Sequence, residues 1–238
     1  MPRLLLFAGL CCALPRAAAG QVLVGLLAGS ALSSETFNIG FDIGMNFATL
    51  TGLGDATRKN SALFGLFGDW RFSEHAQLTA GFIPISSRGA DGLSPRPLGD
   101  ATLDSLVRGG TMTRSLSTID IPVMFKYAPR RDTGVRLGIG PEIAFVTGAT
   151  DRYTARSPND TAVIVERDIG GQIAGVDAGV AVDLEWRWPL LAIGVRYYEG
   201  LTDLISNNAG TASRSRVLSG SGRIALGRKR SNGAPSKP

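Results

Sequence analysis

Alternation of apolar and polar side chains with a period of two residues is the feature that most constrains this chain. It is clearest in residues 37–47, FNIGFDIGMNF, and it recurs in a hairpin at residues 117–147. Because successive side chains of a strand point to opposite faces, each alternating run predicts an amphipathic β-strand. The runs reach about a dozen residues, whereas an ordinary strand has about five or six. Strands of this kind are expected in a membrane barrel or, alternatively, in a secreted β-sandwich.

The lengths of the connections favour the barrel. We predict eight strands, at residues 37–47, 62–72 and 77–86, two within 117–147, and at 171–186, 190–199 and 216–227. The connections after strands two, four and six are short, and those after strands one, three, five and seven are longer. Short periplasmic turns that alternate with long outer loops are typical of outer-membrane barrels. The predicted fold is therefore all-β, an eight-stranded antiparallel up-and-down transmembrane β-barrel over residues 36–227.

The polar faces of these strands combine charges of both signs with glycine. An eight-stranded barrel is only just wide enough inside for side chains to fill it, and buried charges need partners. We therefore expect a structural network of salt bridges in the lumen, with a proton path, ion path or ligand site among the same residues as the alternative. The predicted lumen residues are Asp42, Asp69, Arg71, Asp120, Lys126, Arg136, Glu142, Asp177, Asp183, Glu185, Arg196 and Arg223.

Aromatic residues mark the strand ends that adjoin the short turns. They are Trp70, Phe72, Tyr127, Trp186 and Trp188. Aromatic belts form where a membrane protein crosses the lipid–water interface, so these residues predict a girdle on the turn side. Ordinary core aromatics are the alternative.

Three prolines conflict with regular strands, because a proline removes one hydrogen bond from the ladder between strands. Pro84, Pro122 and Pro141 all fall inside predicted strands. We expect a bulge at each of them, or strands that end earlier.

The first 19 residues have the layout of a secretory signal peptide. Arg3 is followed by an apolar stretch at residues 4–14 and by small residues at 17–19, which predicts cleavage after Ala19. A lipoprotein signal is disfavoured, because Leu10 precedes Cys11. Residues 20–35 remain unassigned, and the apolar stretch 22–32 fits a helix, a plug or a strand. We expect the basic tail, residues 228–238, to be disordered.

The composition disfavours catalysis and metal binding. Cleavage would remove both cysteines, and His75 is the single histidine. We therefore expect no catalytic residues, no cofactor and no metal site, because transition-metal sites need several histidine or cysteine ligands. Loss of Arg3 and Arg16 would leave only a small excess of basic residues, which gives no reason to expect a nucleic-acid partner.

Several segments, taken in order, carry a family resemblance. They are GFDIGMNFATL, FGLFGDWRFSEHAQLTAGF, IDIPVMFKY and GVRLGIGPEI, preceded by VLVGLLAGSALSSETFNIG. Together they resemble the PorT-like, porin-family outer-membrane β-barrel proteins. The resemblance implies an eight-stranded barrel without catalytic residues, and some relatives are linked to protein secretion. The chain departs from other barrels in lacking an aromatic residue at the end of its last strand.

The sequence therefore predicts a monomer in the outer membrane with a side-chain-filled lumen. Its expected role is structural or binding, through outer loops at residues 87–114, 148–167 and 200–215, because loops on a rigid scaffold often carry binding. A small passive pore and an accessory factor in protein secretion or envelope assembly are the alternatives. Outer-membrane lipid is the expected partner, together with other envelope or secretion proteins under the accessory alternative.

Overall fold

The computed structural model describes residues 34, 36–54, 56–130, 134–156, 161–205 and 212–226. The predicted signal peptide at 1–19, the apolar stretch 22–32 and the tail 228–238 lie outside the described residues. Among the helices that the structure describes, none is long and apolar enough to cross a bilayer.

The described chain forms nine antiparallel strands and one short α-helix. Eight strands follow one another around a closed ring, because β4 pairs with β5 and β9 pairs with β1. In the described residues β6 pairs only with β5, so it lies outside the ring. The predicted eight-stranded up-and-down barrel is confirmed. The elements are β1 Phe37–Leu50, β2 Lys59–Arg71, β3 Ala76–Leu93, α1 Ala101–Val107, β4 Thr111–Tyr127, β5 Gly134–Arg156, β6 Ala162–Asp168, β7 Val176–Arg187, β8 Leu191–Gly200 and β9 Ser215–Leu226.

The outward faces of the eight strands form an apolar belt around the ring. Alternation along β7, for example, leaves Val180, Val182 and Leu184 exposed, whereas Ala181 and Asp183 are buried between them. A continuous exposed apolar surface of this extent is unfavourable in water and favourable against lipid hydrocarbon. The hydrophobic effect therefore acts on the outside of this fold, and polar contacts must organise its inside.

The two ends of the ring differ in the length of their connections. Short connections join β2 to β3, β4 to β5 and β7 to β8 at one end, here called the turn end. The opposite end, called the outer end, carries the longer connections and β6. All five predicted girdle aromatics are exposed at the turn end rather than packed in a core, and Trp70 and Phe72 contact each other with ring centroids 5.5 Å apart.

The prolines behave differently from one another. The register slips by one residue on both sides of Pro84, so the expected bulge is present there. The expectation was wrong for Pro122 and Pro141, because the register runs through both without a shift. Gly81 makes room for the ring of Pro122, because a Cβ at this glycine would lie 2.8 Å from Cγ of the proline.

The strands continue further toward the outer end than the sequence predicts. Predicted loop residues 87–93, 111–114 and 148–156 belong to β3, β4 and β5, and β6 occupies part of the predicted loop 148–167. Outside the apolar belt the outward faces of the strands are polar, and the inward faces mix apolar with charged side chains, so the unbroken apolar row that marks a strand in the sequence is missing there. These predicted loop boundaries were wrong for that reason.

Candidate functional site

The lumen is the candidate functional site, because all twelve predicted lumen residues lie on the inward faces of their strands. Ten of them are buried, while Arg71 and Arg196 are partly buried. The lumen also holds four charged side chains that were predicted as loop or turn residues. These are Arg88, Arg114, Asp151 and Arg187.

Arg88 is the centre of the network in the middle of the barrel. Its guanidinium nitrogens lie 2.6 Å from Glu142, 2.7 Å from Asp177 and 3.3 Å from Asp120. The guanidinium also stacks 4.1 Å from the ring centroid of Tyr198, whose hydroxyl donates to Asp177 over 3.0 Å. Its side chain is only 1% exposed. One cation from β3 therefore holds together β4, β5, β7 and β8.

A second cluster lies nearer the turn end. The ammonium group of Lys126 is 2.6 Å from Asp183 and 2.9 Å from Glu185. Arg223 donates to the same Glu185 over 2.8 Å, and its guanidinium covers the inward ring of Phe67 at 4.0 Å. Two carboxylates of β7 thus share cations that come from β4 and β9.

Arg196 connects the two clusters through longer contacts. Its guanidinium lies 3.7 Å from Glu142 and 3.9 Å from Asp42, and Asp42 in turn is 3.5 Å from Arg223. Contacts of this length are weaker than the charge-assisted hydrogen bonds formed by Arg88 and Lys126. The network is therefore continuous along the barrel axis but is tightest in its two clusters.

Further pairs close the turn end of the lumen. Arg187 lies 2.8 Å from Asp69, which also accepts a hydrogen bond from Thr79 over 2.7 Å. Arg136 donates to the side-chain oxygen of Gln77. The nearby recess has a volume of about 0 Å³, so no water molecule fits there. It is bounded by Phe67, Glu185, Arg187, Leu190, Leu191, Ala192, Arg223 and Ala225.

The charged lumen side chains named here are balanced in number. Eight basic groups face eight acidic groups, so the lumen has no excess of one sign that would attract a particular ion. The basic residues are Arg71, Arg88, Arg114, Lys126, Arg136, Arg187, Arg196 and Arg223, and the acidic residues are Asp42, Asp69, Asp120, Glu142, Asp151, Asp177, Asp183 and Glu185.

An apolar cap closes the lumen toward the outer end. Leu204, in the connection from β8 to β9, is fully buried in it. The Arg114–Asp151 pair, with two hydrogen bonds of 2.6 and 2.7 Å, lies between the Met112–Tyr153 and Leu116–Ala149 pairs of the cap. The cap consists of Leu50, Leu53, Ala90, Leu93, Val107, Met112, Leu116, Ala149, Tyr153, Ile169, Leu204 and Ile205.

Serine hydroxyls also take part in the lumen network: Ser86 donates to Asp120 over 2.6 Å, and Ser215 donates to Asp177. His75 lies in the short turn between β2 and β3, and its Nδ1 is 2.9 Å from the carbonyl oxygen of Ala128. Among the residues that the structure describes, no three histidine, cysteine or acidic side chains are grouped to hold a metal ion. The contacts that the structure shows in the lumen are ion pairs and hydrogen bonds.

Comparison with known proteins gives one family and several similar structures. The model of the family described as "Outer membrane protein beta-barrel domain" matches residues 29–206. No curated protein matches the chain. Among solved structures, the attachment invasion locus protein Ail of Yersinia pestis is 9% identical with a TM-score of 0.44, covering 81% of this chain and 100% of its own. Neisserial surface protein A is 11% identical with a TM-score of 0.36, and the match covers 79% of this chain and 96% of that protein. OprG of Pseudomonas aeruginosa is 10% identical with a TM-score of 0.35, and the match covers 79% of this chain and 91% of that protein.

Proposed function

Because the chain belongs to the outer membrane protein beta-barrel domain family, we propose that it is a closed barrel that acts through its outer surface and does not conduct solutes. The observation that carries this proposal is the filled lumen, in which buried ion pairs extend from the turn end to the apolar cap. The proposal includes export by a signal peptide cleaved after Ala19, and it assigns the protein no catalytic role.

The ion pairs support a closed state because three lumen cations, Arg88, Arg196 and Arg223, each contact carboxylates on more than one strand. To open a water path, Arg88 would have to leave three carboxylates at once. Separating buried charges from their partners costs several kcal/mol, roughly 3–5 for a single buried pair. Thermal fluctuations therefore open such a network rarely.

The outer end supports a binding role because it presents structure beyond the ring. In the described residues one edge of β6 has no partner strand, and Ile164 on this strand is half exposed. Leu103 on α1 and Leu201 after β8 are further exposed apolar side chains on outer connections. An unpaired strand edge is a surface to which an extended segment of a partner can add, and exposed apolar side chains on outer connections add contact area for a partner.

The refolded protein is expected to be electrically silent in a planar bilayer. The sample should first show the gel shift on heating that marks a folded barrel. The physical reason is that the paired charges and the apolar cap leave no continuous water path. Single-channel conductance is the measurement, with a known porin in the same bilayer as the positive control. Steady and reproducible openings would contradict the closed lumen and make a small passive pore the better assignment.

Removal of β6 is expected to abolish the cellular role while the barrel still folds. The gene is deleted in the native host, and the effect of the deletion on the cell envelope is scored. Expression of the intact chain should reverse this effect and so restore the envelope phenotype. A variant with residues 157–168 replaced by a Gly-Ser linker of equal length, which can still span from the end of β5 back to Ile169, should fail to restore it. The matched control deletes residues 129–132, between β4 and β5 at the opposite end of the ring, and this variant should restore the phenotype fully. The opposite pattern would favour an accessory role in secretion or envelope assembly, as expected for a PorT-like protein.

A further inference from the structure

A row of outward-facing polar residues crosses β9, β1 and β2 at their outer ends. Arg216 on β9 pairs with Thr49 on β1. On the other side of β1, Ala48 pairs with Lys59, so the exposed Arg58 lies beside Thr49. Because neighbouring strands are about 4.8 Å apart, the two guanidinium groups can reach the same group above Thr49.

A third arginine is tied to this row through the backbone. The N–H of Arg214 donates to the hydroxyl of Thr51 over 3.0 Å, and the N–H of Thr51 donates to the carbonyl oxygen of Arg214 over 2.9 Å. Arg214 is exposed and lies two residues before Arg216 on the same chain segment. Arg58, Arg214 and Arg216 are called the rim arginines below.

The rim arginines begin where the apolar belt ends. The next row toward the turn end contains Leu218 and Phe47, which pair with each other across β9 and β1. Arginine commonly lays its aliphatic stem along apolar surface and keeps its charge in the polar layer. In a bilayer this position is the level of the lipid headgroups.

The surface at the row is concave, and Arg216 is oriented over it. The concavity has a volume of about 500 Å³ and is lined by Thr49, Leu50, Thr51, Gly52, Leu53, Gly54, Ala56 and Arg216. Glu199 accepts hydrogen bonds from Nε of Arg216 at 2.9 and 3.0 Å. In the described part of the chain all contacts of Arg216 use Nε, and its side chain is half exposed. Its two terminal nitrogens are therefore free to donate to an anion.

The opposite wall lacks this arrangement. Where the belt ends on β4 and β5, the outward residues are Ser117, Thr147 and Thr150. The exposed Arg152 on β5 lies further out, and Glu166 of β6 faces it at 3.7 Å. At the edge of the apolar belt, β4 and β5 therefore carry hydroxyl side chains where β9 carries Arg216, and their exposed arginines, Arg152, Arg156 and Arg167, lie further out or on β6.

We propose that the rim arginines bind a phosphate group on the headgroup of a lipid in the outer leaflet. Arginine guanidinium groups bind phosphate through paired, charge-assisted hydrogen bonds, and Thr49 supplies a hydroxyl donor between them. The concavity receives the headgroup, and the adjacent apolar belt receives the acyl chains. This site lies on the outer wall, so it is independent of whether the lumen conducts.

The test compares thermal unfolding of the refolded full chain in detergent with three probes. These are lipid A, which is a phosphorylated glycolipid, the same lipid after removal of its phosphates, and inorganic phosphate. Lipid A is expected to raise the unfolding temperature of the unaltered protein, while the other two probes leave it unchanged. In the double variant Arg214→Gln and Arg216→Gln, the affinity for lipid A should fall about tenfold or more, because charge-assisted bonds are lost.

Three results would overturn the proposal. If dephosphorylated lipid stabilises the protein as well as lipid A does, the phosphate is not recognised. If inorganic phosphate alone gives the full effect, the site takes a free anion rather than a lipid. The matched control is Arg152→Gln, an exposed arginine on the opposite wall. It should keep the full response to lipid A, and an equal loss in this variant would show only unspecific charge attraction.

Discussion

Replacing Arg88 by methionine is expected to lower the free energy of unfolding by about 3–5 kcal/mol. Methionine occupies a similar volume but leaves Asp120, Glu142 and Asp177 buried together without the cation that faces all three. The measurement is equilibrium unfolding by urea of the protein folded in phospholipid vesicles. The fluorescence of Trp70 and its neighbours at the turn end would report the transition.

The control for this variant is Arg152→Met. This arginine also faces a carboxylate, at 3.7 Å from Glu166, but the two side chains are 52% and 61% exposed. Exposed ion pairs contribute little, so its loss should cost less than about 1 kcal/mol. Equal effects of the two substitutions would mean that the lumen network does not stabilise the barrel.

Gly140→Ala is expected to destabilise the barrel by about 3 kcal/mol or more, because it adds a methyl group where β4 and β5 are already in close contact. A Cβ at this position would overlap the carbonyl oxygen of Val123 and lie 3.0 Å from the Cα of Met124. Both contacts are to backbone, so β4 and β5 would have to move apart. The same urea titration measures the effect.

Gly220→Ala is the matched control for Gly140→Ala. Gly220 also lies within a strand, β9, but a Cβ there would meet nothing within 4 Å. Alanine should therefore be tolerated with a change of less than about 1 kcal/mol. A large loss at both positions would point to a general intolerance of side chains rather than to the close approach of β4 and β5.

The alternation in the sequence was sufficient to predict the ring because lipid imposes it. Every strand that crosses the belt needs an apolar residue at each second position, and β1 shows this without interruption from Phe37 to Phe47. The same alternation assigned the twelve predicted lumen residues to inward faces, including residues on strands far apart in the chain, such as Asp42 and Asp183. Which cation pairs with which carboxylate could not be predicted in full, since pairs such as Arg88 with Asp177 join strands that are not neighbours in the ring.

Bulges explain why Arg88 and Asp151 were missed. The bulge at Pro84 and a second one at Thr147 shift the alternation by one residue, so residues beyond them change face relative to the simple count. After the shift, Arg88 and Ala90 face inward on β3, and Ala149, Asp151 and Tyr153 face inward on β5. A sequence reader who allows a one-residue slip at a proline in a strand could have found Arg88. No comparable signal marks Thr147.

The cross-lumen ion pairs impose a requirement on biogenesis. Arg88 on β3 meets Asp177 on β7, although β4 and β5 stand between these strands in the ring. A half-assembled sheet in the bilayer would therefore turn charges without partners toward hydrocarbon, at about 2–4 kcal/mol for each basic group near the midplane. Stepwise entry of single hairpins is disfavoured for such a chain. Insertion must keep the growing sheet curled around its polar face until the seam between β1 and β9 closes, so membrane entry and ring closure become one cooperative event.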